Sequence, residues 1–210
     1  MKIGIIGSGR VGGTVGKRWA AMGHEVVFGS RDPGAAKVKE AVGATGGKAK
    51  ADTIAKAAAS AEVVVLATPW AGTKEALAAA GDLAGKIVID CTNPLKPDLS
   101  GLAVGPETSA GEQVASWAKG ARVVKGLSTT GSGNMENPKY GGQSAAMFIC
   151  GEDAGAKKTA GKLMEELGFE VVDCGPLAAA RQLEHLALLW VCLAYKLGNG
   201  ADIAFRLLRR

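Results

Sequence analysis

Short apolar, β-branched runs recur along this chain, separated by longer alanine-rich stretches. The runs are Lys2–Ile6, Glu25–Phe28, Val63–Ala67, Ile87–Asp90, Arg122–Leu127, Ala145–Cys150 and Glu170–Asp173. Within each, apolar residues stand side by side rather than at alternate positions, the pattern of a strand buried on both faces. Between them the spacing predicts helices over Val11–Met22, Ala35–Val42, Thr53–Ala59, Thr73–Ala80, Ser109–Ala118 and Ala154–Leu167. A last helical region is expected from about Ala178 to the C-terminus. Gly23 sits where the first helix should stop. Strands alternating with helices predict an α/β fold, a doubly wound and mostly parallel sheet. The alternation loosens after Leu127, where a Gly/Ser/Thr/Asn loop runs to Gly142. Residues 1–127 are therefore expected to form the main unit. Residues 128–210 are expected to form a smaller C-terminal α/β segment packed on it.

Composition narrows the functional classes. The chain has 210 residues, 47% hydrophobic and 21% charged, which describes a folded domain rather than a disordered chain. A net charge of +5 is spread along the sequence, apart from Arg206, Arg209 and Arg210. It suits a phosphorylated small molecule. With no basic run interleaved with aromatics, a nucleic-acid partner is not expected. Cys91, Cys150, Cys174 and Cys192 show no CxxC spacing and lie in apolar stretches, so neither a metal site nor a disulfide framework is expected. The first residues read as a strand with no signal-like apolar region, and the apolar run Leu186–Tyr195 is short for a bilayer. A cytoplasmic protein without a membrane partner is the expectation.

The first strand runs into Gly7-Ser8-Gly9-Arg10-Val11-Gly12, and a helix leaves it. In that context each glycine has a task. Gly7 permits the tight turn, Gly9 lets a pyrophosphate approach the backbone, and Gly12 lets helix and strand pack closely. The N–H groups of the helix then face the phosphates. The second strand ends at Phe28-Gly29-Ser30-Arg31. A unit selective for NAD ends this strand on Asp or Glu, which would repel a 2′-phosphate. Ser30 and Arg31 instead offer a hydroxyl and a planar cation, which predicts NADP(H). Lys37 is a candidate second cation, and Arg10 faces either the ligand or solvent.

The ligand of such a sheet lies beyond the carboxyl ends of its strands. That places Ala67, Thr68, Pro69, Asn93, Ser128 and Thr129 at the nicotinamide end. Trp70 is either a packing aromatic or a ligand contact. Acid–base groups are scarce. His24 reads as structural. Arg181 and His185, on the last helix, either face the cleft or solvent. No catalytic residue is assigned. Hydride transfer to a flat ring chiefly needs two rings positioned together, so this scarcity fits a cofactor-to-cofactor reductase.

Several segments together resemble the NADPH-dependent coenzyme F420 reductases. They are Gly7–Gly12, Gly29-Ser30-Arg31, Thr68-Pro69-Trp70, Cys91-Thr92-Asn93-Pro94-Leu95, Gly175-Pro176-Leu177 with Ala180-Arg181 and Glu184, and Phe205-Arg206-Leu207-Leu208. The same unit is similar to the NADPH-binding domain of STEAP ferric reductases. The resemblance implies NADPH held by Ser8–Val11 and by Ser30 and Arg31. It also implies a deazaflavin or flavin acceptor near Leu127–Thr130, under the C-terminal segment. Archaeal members carry a His-Thr-Ile-Pro-like stretch where this chain reads Ser128-Thr129-Thr130-Gly131. The alternatives are a reductase of small imines, hydroxyacids or ferric or flavin substrates, and a non-catalytic NADP-binding protein. Leu186, Leu189, Trp190 and Leu193 recur at helical spacing and form either core or a homodimer face.

Overall fold

The computed structural model describes all residues 1–210. Six parallel strands form most of its main sheet: β1 (Lys2–Ile6), β2 (Glu25–Ser30), β3 (Ala49–Thr53), β4 (Val63–Leu66), β5 (Ile87–Asp90) and β6 (Arg122–Lys125). Their order is β3-β2-β1-β4-β5-β6. A two-stranded hairpin, β7 (Lys139–Tyr140) and β8 (Gln143–Ser144), stands apart. Beyond β6 the sheet continues through β9 (Ala146–Gly151) and β10 (Glu170–Asp173). β9 is antiparallel to β6, and β10 is parallel to β9. No full helical crossover separates β6 from β9, so the chain cannot return in parallel.

Alternate strand residues feed two cores. Ile3, Ile5, Val63, Val65, Ile89 and Val124 pack on one face, with α1 (Arg10–Ala21), α2 (Ala36–Gly43) and part of the C-terminal segment. Ile6, Val64, Leu66, Val88 and Val123 pack on the other, with α3 (Ile54–Ser60), α4 (Thr73–Ala80) and α5 (Ala110–Trp117). In the C-terminal segment, α6 (Ser132–Glu136) and α7 (Ala154–Glu166) join the first face, and α8 (Ala180–Val191) joins the second. The segment is stitched to α1 as well. Trp19, wholly buried, donates Nε1 to Leu163 O at 3.0 Å. Arg18 donates to the carbonyls of Met135, Glu136 and Leu167 at 3.1, 2.7 and 3.0 Å. Removing the Trp19 ring would cost about 3–5 kcal/mol.

The sheet is doubly wound as expected, and Gly23 ends α1 with φ +91. Three local expectations are corrected. β3 was not among the apolar runs, because Ala49-Lys50-Ala51-Asp52-Thr53 is an edge strand that pairs with β2 alone. The loop to Gly142 contains α6 and the β7 strand. The last helical region stops short of the C-terminus. α8 gives way to one π-helical turn, Cys192–Lys196, and then Gly198 and Gly200, at φ +72 and +77, break the helix. The remaining tail lies along the segment, with Trp190 Nε1 donating to Ile203 O and Ala146 N to Phe205 O. The helical run Leu177–Lys196 is longer than Leu186–Tyr195 alone, and by length and composition it passes as a membrane span. In the fold it is docked: Leu183, Glu184, Ala187 and Trp190 are buried, whereas Leu189 is exposed.

Candidate functional site

The glycine turn lies at the switch point between β1 and β4. Gly7 has φ +107, and a Cβ there would stand 2.5 Å from Ala67 O. A Cβ on Gly12 would stand 1.9 Å from Gly7 O, so no side chain fits between helix and strand. Gly9 is the N-cap of α1. It has no capping side chain, and the first turn of the helix has no acid. A Cβ on Gly9 would meet nothing within 4 Å. The positive end of α1 therefore opens into free space beside the turn.

Two connected lobes share Gly7, Ser8, Thr68 and Pro69. The first, about 490 Å³, is also lined by Ser30, Arg31, Ile54 and Glu75. The second, about 430 Å³, takes in Gly9, Arg10, Val11, Lys37, Ala67, Trp70, Cys91, Thr92 and Asn93. Arg10, Arg31 and Lys37 are exposed, and none of the three side chains has a hydrogen bond or ion pair within the protein. Three free cations and an open helix end thus surround one cleft, an arrangement suited to a multiply charged anion. Asp32, the acid nearest this strand end, is occupied in its own turn, accepting from Gly34 N at 2.9 Å. Ser30 Oγ is engaged there too, donating to Asp32 O and accepting from Asp32 N. Trp70 lines the second lobe and packs on Trp117, the ring centroids 5.4 Å apart.

The far rim departs from expectation. Ser128 and Thr129 form no part of either lobe wall and are 4% and 2% exposed. Just before them, at the strand end, Leu127 takes φ +55, a conformation that costs about 1–2 kcal/mol for an L-residue. Ser128 meets the lobe through Asn93, whose Nδ2 donates to Ser128 O at 2.8 Å. Asn93 Oδ1, Ser128 Oγ and Thr129 Oγ1 are buried without a partner. An unsatisfied buried polar atom costs about 1–3 kcal/mol. Of the three, Asn93 belongs to a lobe wall, and its free amide oxygen suits the amide end of a ligand whose other end lies at a phosphate-type turn. On these grounds the residues present fit a nicotinamide dinucleotide.

One feature of the site was not legible in advance. Lys125, at the end of β6, is wholly buried between Asp90 Oδ2 at 3.0 Å and Glu184 Oε1 at 3.1 Å. It also donates to Thr92 O. Asp90 Oδ1 accepts from Thr92 N at 2.9 Å and from Thr92 Oγ1 at 2.7 Å. Glu184 reaches across from α8 to accept from Ala110 N and Gly111 N, both at 3.0 Å, at the start of α5. Burial alone pulls the Lys125 ammonium down, but the two carboxylates outweigh it and leave its pKa raised. Burial pushes the Cys91 thiol far up, and that of Cys150 up to about 12, so neither is a thiolate nucleophile.

The last helix does not bring Arg181 or His185 to the cleft. Arg181 pairs with Glu112, Nε to Oε2 at 2.9 Å and Nη2 to Oε1 at 2.7 Å. His185 is exposed, with Nδ1 against Arg181 O. Both border a shallow hollow with Pro106 and Gln182. His24 is structural, its Nε2 at 2.8 Å from Glu166 Oε2.

Fold and site together define a Rossmann-type nicotinamide-dinucleotide protein. A family model described as NADP oxidoreductase, coenzyme F420-dependent, matches residues 2–94. The F420-dependent NADP reductase of Methanothermobacter thermautotrophicus is 31% identical over 210 residues, covering 92% of this chain and 89% of that one. A crystal structure of a protein assigned as an F420-dependent NADP reductase, from Arthrobacter sp. FB24, superposes with a TM-score of 0.90 at 35% identity, each chain covered in full. Metalloreductase STEAP3 of Rattus norvegicus is 30% identical over 188 residues, covering 89% of this chain. The chain spans only 36% of that metalloreductase's length. The chain belongs to the F420-dependent NADP reductase family of NADP-dependent oxidoreductases.

Proposed function

We propose that this chain exchanges a hydride between NADPH and a flat, flavin-like acceptor, with coenzyme F420 the first candidate. The observation that carries the reading is the convergence of Arg10, Arg31, Lys37 and the uncapped α1 on one cleft, with unpartnered Asn93 Oδ1 near its other end. Gly7–Gly12 hold the diphosphate on backbone N–H groups. Ser30 and Arg31 hold the 2′-phosphate, with Lys37 adding charge. Ala67, Thr68, Pro69 and Asn93 border the nicotinamide, with the Ser128 carbonyl holding Asn93. When bound, NADPH supplies a hydride from its ring; with a solvent proton this gives NADP⁺ and the two-electron-reduced acceptor. Such a transfer asks the protein for ring alignment and exclusion of water rather than for a strong acid. Neither histidine borders the cleft, which agrees with that demand.

The acceptor preference rests on family membership and on the second lobe, whose wall carries no carboxylate and no histidine. An imine or hydroxyacid reductase is the alternative, and family membership favours the present reading over it. The test is loss of NADPH absorbance on mixing the protein with F420, FMN or FAD. Turnover with F420 at a rate well above the flavins is expected. Tight NADPH binding without turnover on any of the three would refute the enzyme and leave a binding protein.

A further inference from the structure

The Lys125 network forms none of the cleft wall except at its end, where it grips Thr92. Lys125 takes the Thr92 carbonyl, and Asp90 takes the Thr92 amide and hydroxyl. The residue is thus held from both sides of its backbone. Asn93 follows directly. Its Nδ2 is committed to Ser128 O, which leaves Oδ1 as its free, buried acceptor. Thr92 and Asn93 both line the second lobe, away from Ser30 and Arg31.

We propose that Lys125 is a positioning residue: with Asp90 and Glu184 it fixes Thr92–Asn93 so that Asn93 Oδ1 receives the nicotinamide carboxamide and sets the angle of the ring. This rests on the NADP(H) reading above. Two features separate the role from plain stabilisation. A buried ion network is a weak source of stability compared with apolar packing of the same volume. Also, what Lys125 adds beyond its two carboxylates is a bond to the one backbone carbonyl that precedes Asn93. None of Lys125, Asp90 and Glu184 lines the first lobe, which holds Ser30 and Arg31, so the effect should divide the cofactor in two.

The experiment is calorimetric binding of two probes, 2′,5′-ADP and NADPH, to the wild type, Lys125→Met and Lys125→Arg. Lys125→Met should weaken NADPH about tenfold, the scale of one lost charge-assisted hydrogen bond, while 2′,5′-ADP stays within about twofold. Lys125→Arg should recover part of the loss. Equal affinity for NADPH, or equal losses for both probes, overturns the proposal. If Lys125→Met does not fold, Glu184→Gln keeps the shape and a smaller split of about threefold is expected; no split there overturns it as well. Failure of wild-type protein to bind 2′,5′-ADP would instead defeat the NADP(H) reading. Binding of 2′,5′-ADP with no split defeats only the role of Lys125.

Discussion

Two helices begin at the same edge of the sheet and are finished in opposite ways. α1 starts on Gly9 with no side-chain cap, no acid in its first turn and cations around it. α5 starts on Ser109, whose hydroxyl accepts from Glu112 N, while Glu184 takes the next two N–H groups. Both helix ends carry the same partial positive charge. At α5 the chain neutralises it with its own carboxylate and then balances that carboxylate with Lys125. At α1 the chain leaves the charge unanswered. A helix end left open beside unpaired Arg10 and Lys37 is one that an outside anion completes, so the contrast itself separates a binding site from an internal joint.

The largest expected effect comes from opening the closed end. Glu184→Ala strips Lys125 of a partner and leaves Ala110 N and Gly111 N without acceptors in a buried setting. A loss of about 3–5 kcal/mol is expected in denaturant unfolding, with 2′,5′-ADP affinity in the folded protein unchanged. A loss under 1 kcal/mol would show that the two ends are not so different. The pH dependence follows from Lys125. Its pKa in the folded protein lies above the ordinary 10.5, so its contribution is fully present below that value and is lost as pH rises through the raised one. Stability measured against Lys125→Met should differ by a constant amount across neutral pH, and the gap should close only in strong alkali.

Obstructing the open end should come next. Gly12→Ala puts a methyl group 1.9 Å from the Gly7 carbonyl, and since both atoms belong to the framework, α1 must back away from the turn. About a hundredfold loss of NADPH affinity is expected, with a fall in Tm of several degrees. Unchanged binding would mean that α1 does not hold the phosphates.

How much of this contrast the sequence disclosed follows from its range. The open end is local: strand, glycine turn and helix are contiguous, so Gly7, Gly9 and Gly12 could be given roles from spacing alone. The strand-end residues Ala67, Thr68, Pro69 and Asn93 followed from topology. The closed end is distant in sequence, since Glu184 and Ala110 lie 74 residues apart. Asp90, Lys125 and Glu184 looked like ordinary charges until the fold brought them together. Glu184 and Arg181 did belong to the segment that carried the family resemblance, without a physical reason. The reason is docking of α8, through Glu184 on α5 and Arg181 on Glu112. Ser128 and Thr129 were expected on the wall and are instead buried off it, next to a left-handed Leu127 that is not readable from a leucine. β3 was missed because edge strands need little apolar content.

At the margin of the open end, Arg31 and Lys37 should rank by geometry. Arg31 borders the lobe that also contains Ser30, and a guanidinium forms paired, charge-assisted bonds to phosphate. Arg31→Ala should weaken NADPH about tenfold to a hundredfold while leaving NADH untouched, as measured by titration of both cofactors. Equal losses for the two would move the 2′-phosphate elsewhere.

Lys37 should give the smallest effect. It stands on α2, exposed, at the border of the second lobe. Its ammonium acts as a solvated point charge, and interactions of that kind are worth about 0–1 kcal/mol. Lys37→Ala should therefore weaken NADPH about twofold to fivefold, within the range of such surface charges. Salt provides the sharper reading. Exposed charges are largely screened at distances beyond about 10 Å in 0.1 M salt, so the difference between Lys37→Ala and wild type should shrink as salt is raised. The loss caused by Gly12→Ala, being steric, should not. A Lys37 effect that survives high salt would place this side chain in direct contact with a phosphate, making it part of the open helix end rather than of its surrounding field.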